Sequence, residues 1–208
     1  MKVLTGFEQG EMMMWSIKGV RMRTMNQLSN RLYLLLTTPV LAGAAALFLF
    51  FMLTVLPGMA VRTEEMTGST ASPDTSFLYT ARDLYEMAEA YGAAGRAFYI
   101  STRFTFDIIW PLVYLLFLTA VITALFRPFD RGSPWRKANL LPWGGVTFDF
   151  LENMGASVVM HRYPLPTPLI AELTPIFTFI KWLLIAASMA VIVLGILLRL
   201  VRHRRYKL

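Results

Sequence analysis

From Tyr33 to Leu56 the chain carries no charged side chain, and a run of that length reaches the roughly 20 residues with which an α-helix crosses a bilayer. Backbone surrounded by lipid must satisfy its own hydrogen bonds, which leaves helices and closed barrels. A continuous apolar block, with no alternation, selects the helix. Three more segments reach the same length. One runs from about Phe104 to Phe126 with Asp107 near its start. Another, about Leu140 to Met160, contains Asp149, Glu152 and Asn153, and the last, about Pro175 to Leu200, carries Lys181. The reading is an all-α polytopic membrane protein, a four-transmembrane-helix bundle with spans near 33–56, 104–126, 140–160 and 175–200. The third span is the least apolar and, taken alone, also fits a buried soluble helix. Composition agrees with lipid as the solvent: 56% of the 208 residues are hydrophobic and 16% charged, against about 25% charged in soluble domains.

The net charge of +7 raises the question of an anionic partner, and the placement of the basic residues answers it. Lys2, Lys18, Arg21, Arg23 and Arg31 precede the first span, and Arg127, Arg131, Arg136 and Lys137 separate the second from the third. Arg199, Arg202, Arg204, Arg205 and Lys207 follow the fourth. The opposite side holds Arg62, Arg82, Arg96, Arg103 and Arg162, so the count is fourteen against five, with Lys181 inside the membrane. Lysine and arginine collect on the cytoplasmic side. The expected topology is four crossings of a bacterial inner or plasma membrane with both termini cytoplasmic, and no nucleic-acid partner. The first apolar stretch exceeds the core of a signal peptide and lacks a small-x-small cleavage site, so it is expected to be a retained anchor. The absence of cysteine excludes disulfides, thiolate metal sites and c-type haem attachment. His161 and His203 are far apart, so no metal and no cofactor is expected.

The chain divides into a cytoplasmic N-terminal segment (1–30, expected to be disordered), a membrane domain (31–201) and a basic tail (202–208). Within the membrane domain, 57–103 forms one long outer connection. Residues 62–73 are small and polar and are expected to lack fixed structure. Beyond Asp74, apolar Leu78, Ala81, Leu84, Tyr85, Met87 and Ala88 recur at helical spacing opposite Arg82, Asp83, Glu86 and Glu89. This predicts an amphipathic outer helix lying on the membrane surface, broken around Gly92 to Gly95.

Three stripes carry the chemistry. Arg96, Tyr99, Arg103, Asp107, Trp110 and Tyr114 are spaced three or four apart, one face of a helix. Pro111 frees the carbonyl of Asp107 on that face. The third span offers Gly145, Asp149, Glu152, Asn153, Ala156 and Ser157, and the fourth Thr174, Thr178, Lys181 and Ser188. A mid-membrane aspartate costs about 2.5–3.5 kcal/mol on insertion scales, so these charges should face the bundle interior. Counting along each helix places all four ionisable groups mainly in the outer half of the bilayer, with Lys181 the counter-ion for Glu152 or Asp107 and Arg103 serving from the rim. Three carboxylates held around one lysine cannot all ionise together, so at least one is expected to hold a proton. Such an acid can shuttle a proton, protonate a double bond or grip a polar headgroup. The alternative is a structural ion-pair network that fixes helix register. The small run Ala42 to Ala46 suits close helix packing.

Three motifs, G-A-A-G-R-A-F-Y at 92–99, D-I-I-W-P-L-V-Y at 107–114 and D-F-L-E-N at 149–153, with Tyr163-Pro164 and Lys181-Trp182, resemble an uncharacterised family of small four-span membrane proteins. The resemblance implies four spans and brings no activity. The layout is also similar to that of the sterol-isomerase and sigma-2-receptor group, in which a long outer segment precedes a span bearing an acid and a proline, and carboxylates face a lipid-filled cavity. That similarity is architectural and transfers no residue.

The functional expectation is an intramembrane acid/lysine cluster that binds a lipid or another hydrophobic molecule with a polar group. Its contacts would be Arg96, Tyr99, Arg103, Asp107, Tyr114, Asp149, Glu152, Asn153 and Lys181. If a reaction occurs, Asp107, Glu152 and Asp149 are the catalytic candidates. Two other classes stay open: an accessory or assembly subunit of a membrane complex, and a proton-coupled transporter working as a homo-oligomer. The expected partners are membrane lipids and a membrane protein or a second copy.

Overall fold

The computed structural model describes residues 24–205; the rest of the expected N-terminal segment and the last residues of the tail lie outside them. The described chain is helical throughout its regular structure. Helix α1 covers residues 24–35, so the part of the expected disordered segment that is described is helical. The apolar run then splits at Leu36–Thr37, and α2 (Thr38–Phe50) begins with Pro39 in its first turn, where the missing N–H costs nothing. A wide π turn, Phe51–Val55, leads into α3 (Leu56–Thr67). The N–H of Leu56 reaches back to Phe51 O, a looser turn just before Pro57, which has no N–H to offer.

The outer connection is more ordered than its composition suggests. Helix α3 continues through Arg62 to Thr67, where no fixed structure is expected, and stops at Gly68, whose left-handed backbone (φ +66) lets its N–H bond Glu64 O at 2.8 Å. A strap follows, with a 3-10 turn at Pro73–Thr75 wound on Ser72 O, which accepts from the N–H groups of Thr75 (3.2 Å) and Ser76 (3.1 Å). Helix α4 (Ala81–Ala90) starts on a capping box: Thr80 Oγ1 accepts from Asp83 N–H and Asp83 Oδ2 accepts from Thr80 N–H. Its apolar face is not laid on lipid. Leu84 and Ala88 are fully buried against Ala156, Val159 and Met160 of α7 (Leu141–Arg162) and Ala171 of α8 (Pro168–Arg205). The amphipathic pattern records packing on neighbouring helices.

Gly92 (φ +61) turns α4 into α5 (Gly92–Arg103), and a second irregularity at Phe104–Thr105 separates α5 from α6 (Phe106–Phe126). The stripe from Arg96 to Tyr114 therefore sits on two helices joined at a bend. A 3-10 turn, Pro134–Leu140, precedes α7. Helix α8 begins at Pro168, ahead of the predicted span, runs through Pro175, and stays helical into the basic tail as far as Arg205. Glycines bring α7 onto α8: Gly144 faces Leu184, Gly145 faces Ile185 and Gly155 faces the Thr174 hydroxyl. On the small run of α2, by contrast, only Ala44 is buried, against Leu36 and Ala120.

Contacts sort the connections into two ends. Ser29 Oγ donates to Asn139 Oδ1 (2.9 Å), Arg127 Nη2 to Leu36 O (2.6 Å) and Arg199 Nε to Leu125 O (3.1 Å). At the other end, Thr167 N–H donates to Tyr85 OH (2.7 Å), joining α4 to the α7–α8 connection. Among the described residues three helices are long and apolar enough to cross a membrane: Thr38–Thr67, Gly92–Phe126 taken through its bend, and Pro168–Arg202. The 22 residues of α7 give it a length of about 33 Å, but its acids keep it below the apolarity of the other three. The chain is an all-α, multi-pass membrane protein.

Candidate functional site

Six ionisable side chains from five segments, the strap and helices α5, α6, α7 and α8, meet in the core. The carboxylate of Asp107, in the first turn of α6, lies 2.9 Å from Nε of Arg103, one helical turn earlier across the bend. Arg103 is buried and stacks its guanidinium on Tyr99, 4.5 Å from the ring centre. Its Nη1 also reaches Asp74 Oδ2 (3.2 Å) and donates to Asn153 Oδ1 of α7 (3.3 Å). Lys181 of α8 is the second hub. Its Nζ pairs with Glu152, donates to Asp74 Oδ1 (2.9 Å) and lies 3.8 Å from Asp149 Oδ1. Asp149 is held further by Tyr114 OH, which donates to its Oδ2 (2.7 Å), and by Asn153 Nδ2, which donates to Oδ1 (3.3 Å).

The predicted convergence of Asp107, Asp149, Glu152, Asn153, Tyr114, Arg103 and Lys181 is thus present. All of them are buried, and Arg103 is a central partner, not a rim charge. Two members of the predicted stripe point elsewhere. Arg96 donates to Ala88 O (2.7 Å) near the end of α4 and lies over the Tyr163 ring. Tyr99 supports Arg103 with its ring, and its buried hydroxyl has no partner among the described residues.

Sequence reasoning missed Asp74. It reaches the cluster from the strap and bridges both cations. Burial works to raise its carboxyl, but the charges of Lys181 and Arg103, reinforced by their hydrogen bonds, outweigh this and hold it well below the usual carboxylate range. The available signal was the turn sequence Ser72-Pro73-Asp74-Thr75, together with two buried cations in need of anions. Its small polar surroundings concealed it.

Four acids against two bases leave the fully ionised cluster with excess negative charge. Asp74, Asp149 and Glu152 each bring one oxygen within 4.8 Å of the others, a spacing that could hold a metal ion, where sequence reading expects none. Lys181 Nζ contacts all three, so an ammonium already stands where such an ion would sit.

The cluster is not sealed. Asp74, Asp107, Tyr114, Asp149 and Lys181 form one wall of a cavity of about 460 Å³. Its other walls are apolar: Phe48, Met52 and Leu56 from the first membrane helix, Trp110 and Leu118 from α6, and Ile185 and Met189 from α8. Phe48 stacks on Trp110 (5.6 Å) and Phe117 (4.2 Å), and Trp110 meets Tyr114 edge-on (5.7 Å). A second cavity of about 280 Å³ lies toward the outer connection, lined in part by Glu64, Ser69, Thr70 and Arg103. The two share Leu56, Asp74, Thr75 and Asp107 as a common partition. Glu152 and Asn153 line neither cavity and support the residues that do.

No protein-family model matches the chain, and neither a curated protein nor a solved structure matches it. What stands on geometry is a helical, multi-span membrane protein with a buried cluster of acids and a lysine.

Proposed function

We propose that this protein is a four-crossing bundle whose intramembrane cluster binds a lipid or similar hydrophobic molecule through one polar group. The observation that carries the reading is the cavity of about 460 Å³, apolar on most sides and closed on one by Asp107, Tyr114, Asp149 and Lys181. Small-molecule sites usually enclose about 300–1,000 Å³ and combine apolar walls with a few convergent polar groups. Asp107, Tyr114, Asp149 and Lys181 would touch the polar group, while Arg103, Glu152 and Asn153 hold them in place. Proton transfer within the bound molecule is the chemistry these residue types support, and of Asp107, Asp149 and Glu152 it is Asp107 that borders both cavities. Helix α7 would be the fourth crossing of a membrane domain spanning 31–201, since it joins the two ends of the molecule. The basic residues at the α1 end would put both termini in the cytoplasm of a bacterium.

The test is mass spectrometry of what co-purifies with gently extracted protein. Met52 and Met189 line the cavity and are half-exposed, so Met52→Trp and Met189→Trp should fill it without disturbing the core. The expected outcome is a hydrophobic molecule retained by the wild type, lost from both variants, at unchanged melting temperature. Equal retention by all three proteins, or no retained molecule in the wild type, rejects the reading.

A further inference from the structure

A second site lies at the opposite end of the bundle and is independent of the acid/lysine cluster. Asn26, Ser29 and Asn30 of α1 face Arg131, Arg136 and Lys137 of the α6–α7 connection across a pocket of about 150 Å³. None of the three basic side chains pairs with a carboxylate among the described residues. Like charges held together without an anion repel, so the arrangement gains when an anion enters.

The pocket has a fixed frame. Ser29 Oγ donates to Asn139 Oδ1 (2.9 Å), and Asn139 Nδ2 donates to Thr123 Oγ1 (3.3 Å), tying α1 through the connection to α6. Arg136 is held by two kinds of contact: its guanidinium lies 3.6 Å from the centre of the Tyr33 ring, and its Nη1 donates to Phe129 O (3.1 Å). Its Nε is buried with no partner among the described residues. A positioned guanidinium with an unused N–H, beside two further cations and the side chains of two asparagines, matches the acceptor-rich surface of a phosphate.

We propose that this pocket binds a phosphate group, supplied by the headgroup of an anionic phospholipid in the adjoining leaflet. The volume admits one headgroup and falls short of a drug-sized ligand. Its depth favours a lipid as the source. At the same end of the molecule Arg127 donates to Leu36 O and Arg199 to Leu125 O at the ends of the apolar helices, and half-exposed Trp135 stands in the same connection as the pocket, where aromatic residues mark the headgroup layer. Basic pockets between membrane helices take phospholipid headgroups by the same chemistry.

Native mass spectrometry of the full chain in neutral detergent, titrated with phosphatidylglycerol, with diacylglycerol of the same acyl chains and with inorganic phosphate, tests this. Phosphatidylglycerol should be retained and diacylglycerol should not. Arg131→Ala/Lys137→Ala should weaken retention about 25-fold, roughly fivefold for each charge removed. Arg199→Ala/Arg202→Ala removes the same charge from the same end outside the pocket and should have a clearly smaller effect. Equal losses from the two double variants, or diacylglycerol retained as well as phosphatidylglycerol, overturn the proposal. If millimolar inorganic phosphate alone shields Lys137 from acetylation and phosphatidylglycerol adds nothing, the phosphate site stands and its source is soluble.

Discussion

Lys181 holds together more of the buried charge than any other side chain, because acids from the strap and from α7 all converge on its ammonium. Lys181→Met would leave Asp74, Asp149 and Glu152 facing one another without that cation. Breaking a buried ion pair from one side costs about 3–5 kcal/mol, whereas replacing both partners by apolar groups is often neutral. The expected result is a large fall in the melting temperature of detergent-purified Lys181→Met, partly recovered in Lys181→Met/Glu152→Met. No recovery in the double variant would show that Glu152 is not the main burden left behind. Much of this cluster was legible from sequence, because charges are expensive in lipid and helical spacing names the face each must share. Asp74 was not legible in the same way. It lies in a polar tract where an acid needs no explanation, and only the turn on Ser72 O directs it inward.

At the scale of elements, the outer connection is where reading and structure part. The 3.6-residue pattern identified α4 correctly as amphipathic, but periodicity states only that one face is apolar, not what covers it. Leu84 and Ala88 meet α7 and α8, where a membrane surface was expected. The extension of α3 to Thr67 was hidden for a related reason. Its polar residues suit an exposed turn as well as a helix, and the deciding contact lies far along the chain. Gly95 of α5 sits against that last turn: a Cβ there would lie 3.0 Å from Met66 O and 3.2 Å from Thr67 Cα. Gly95→Ala should therefore push α5 off α3 and loosen the strap that follows, whereas Gly58→Ala, with open space around it, should not. Hydrogen exchange across 66–80 should rise for Gly95→Ala alone; unchanged exchange would mean that the α3–α5 contact does not position the strap.

For the whole molecule, hydropathy was enough to establish a multi-pass helical protein. The helix hardest to read was α7, because the acids that lower its apolarity are the ones packed against Lys181. The native chain has no cysteine, so single introduced thiols report sidedness cleanly. Leu78→Cys and Leu165→Cys should react with an impermeant maleimide added to the outside of intact cells, and Gly132→Cys only after permeabilisation. Labelling of Gly132→Cys and Leu165→Cys from the same side would mean that α7 does not cross.

Short Tyr163–Thr167 connects α7 to α8, and this bears on how the protein enters the bilayer during synthesis. Asp149 and Glu152 would meet the insertion machinery as uncompensated charges if α7 left it alone, at a cost of several kcal/mol. Lys181 follows less than two helical turns after Thr174, whose hydroxyl faces Gly155 of α7, so the cation arrives on the helix already aligned with those acids. If α7 is the fourth crossing proposed above, α7 and α8 would partition into lipid as a hairpin, with the ion pair formed at the moment of entry.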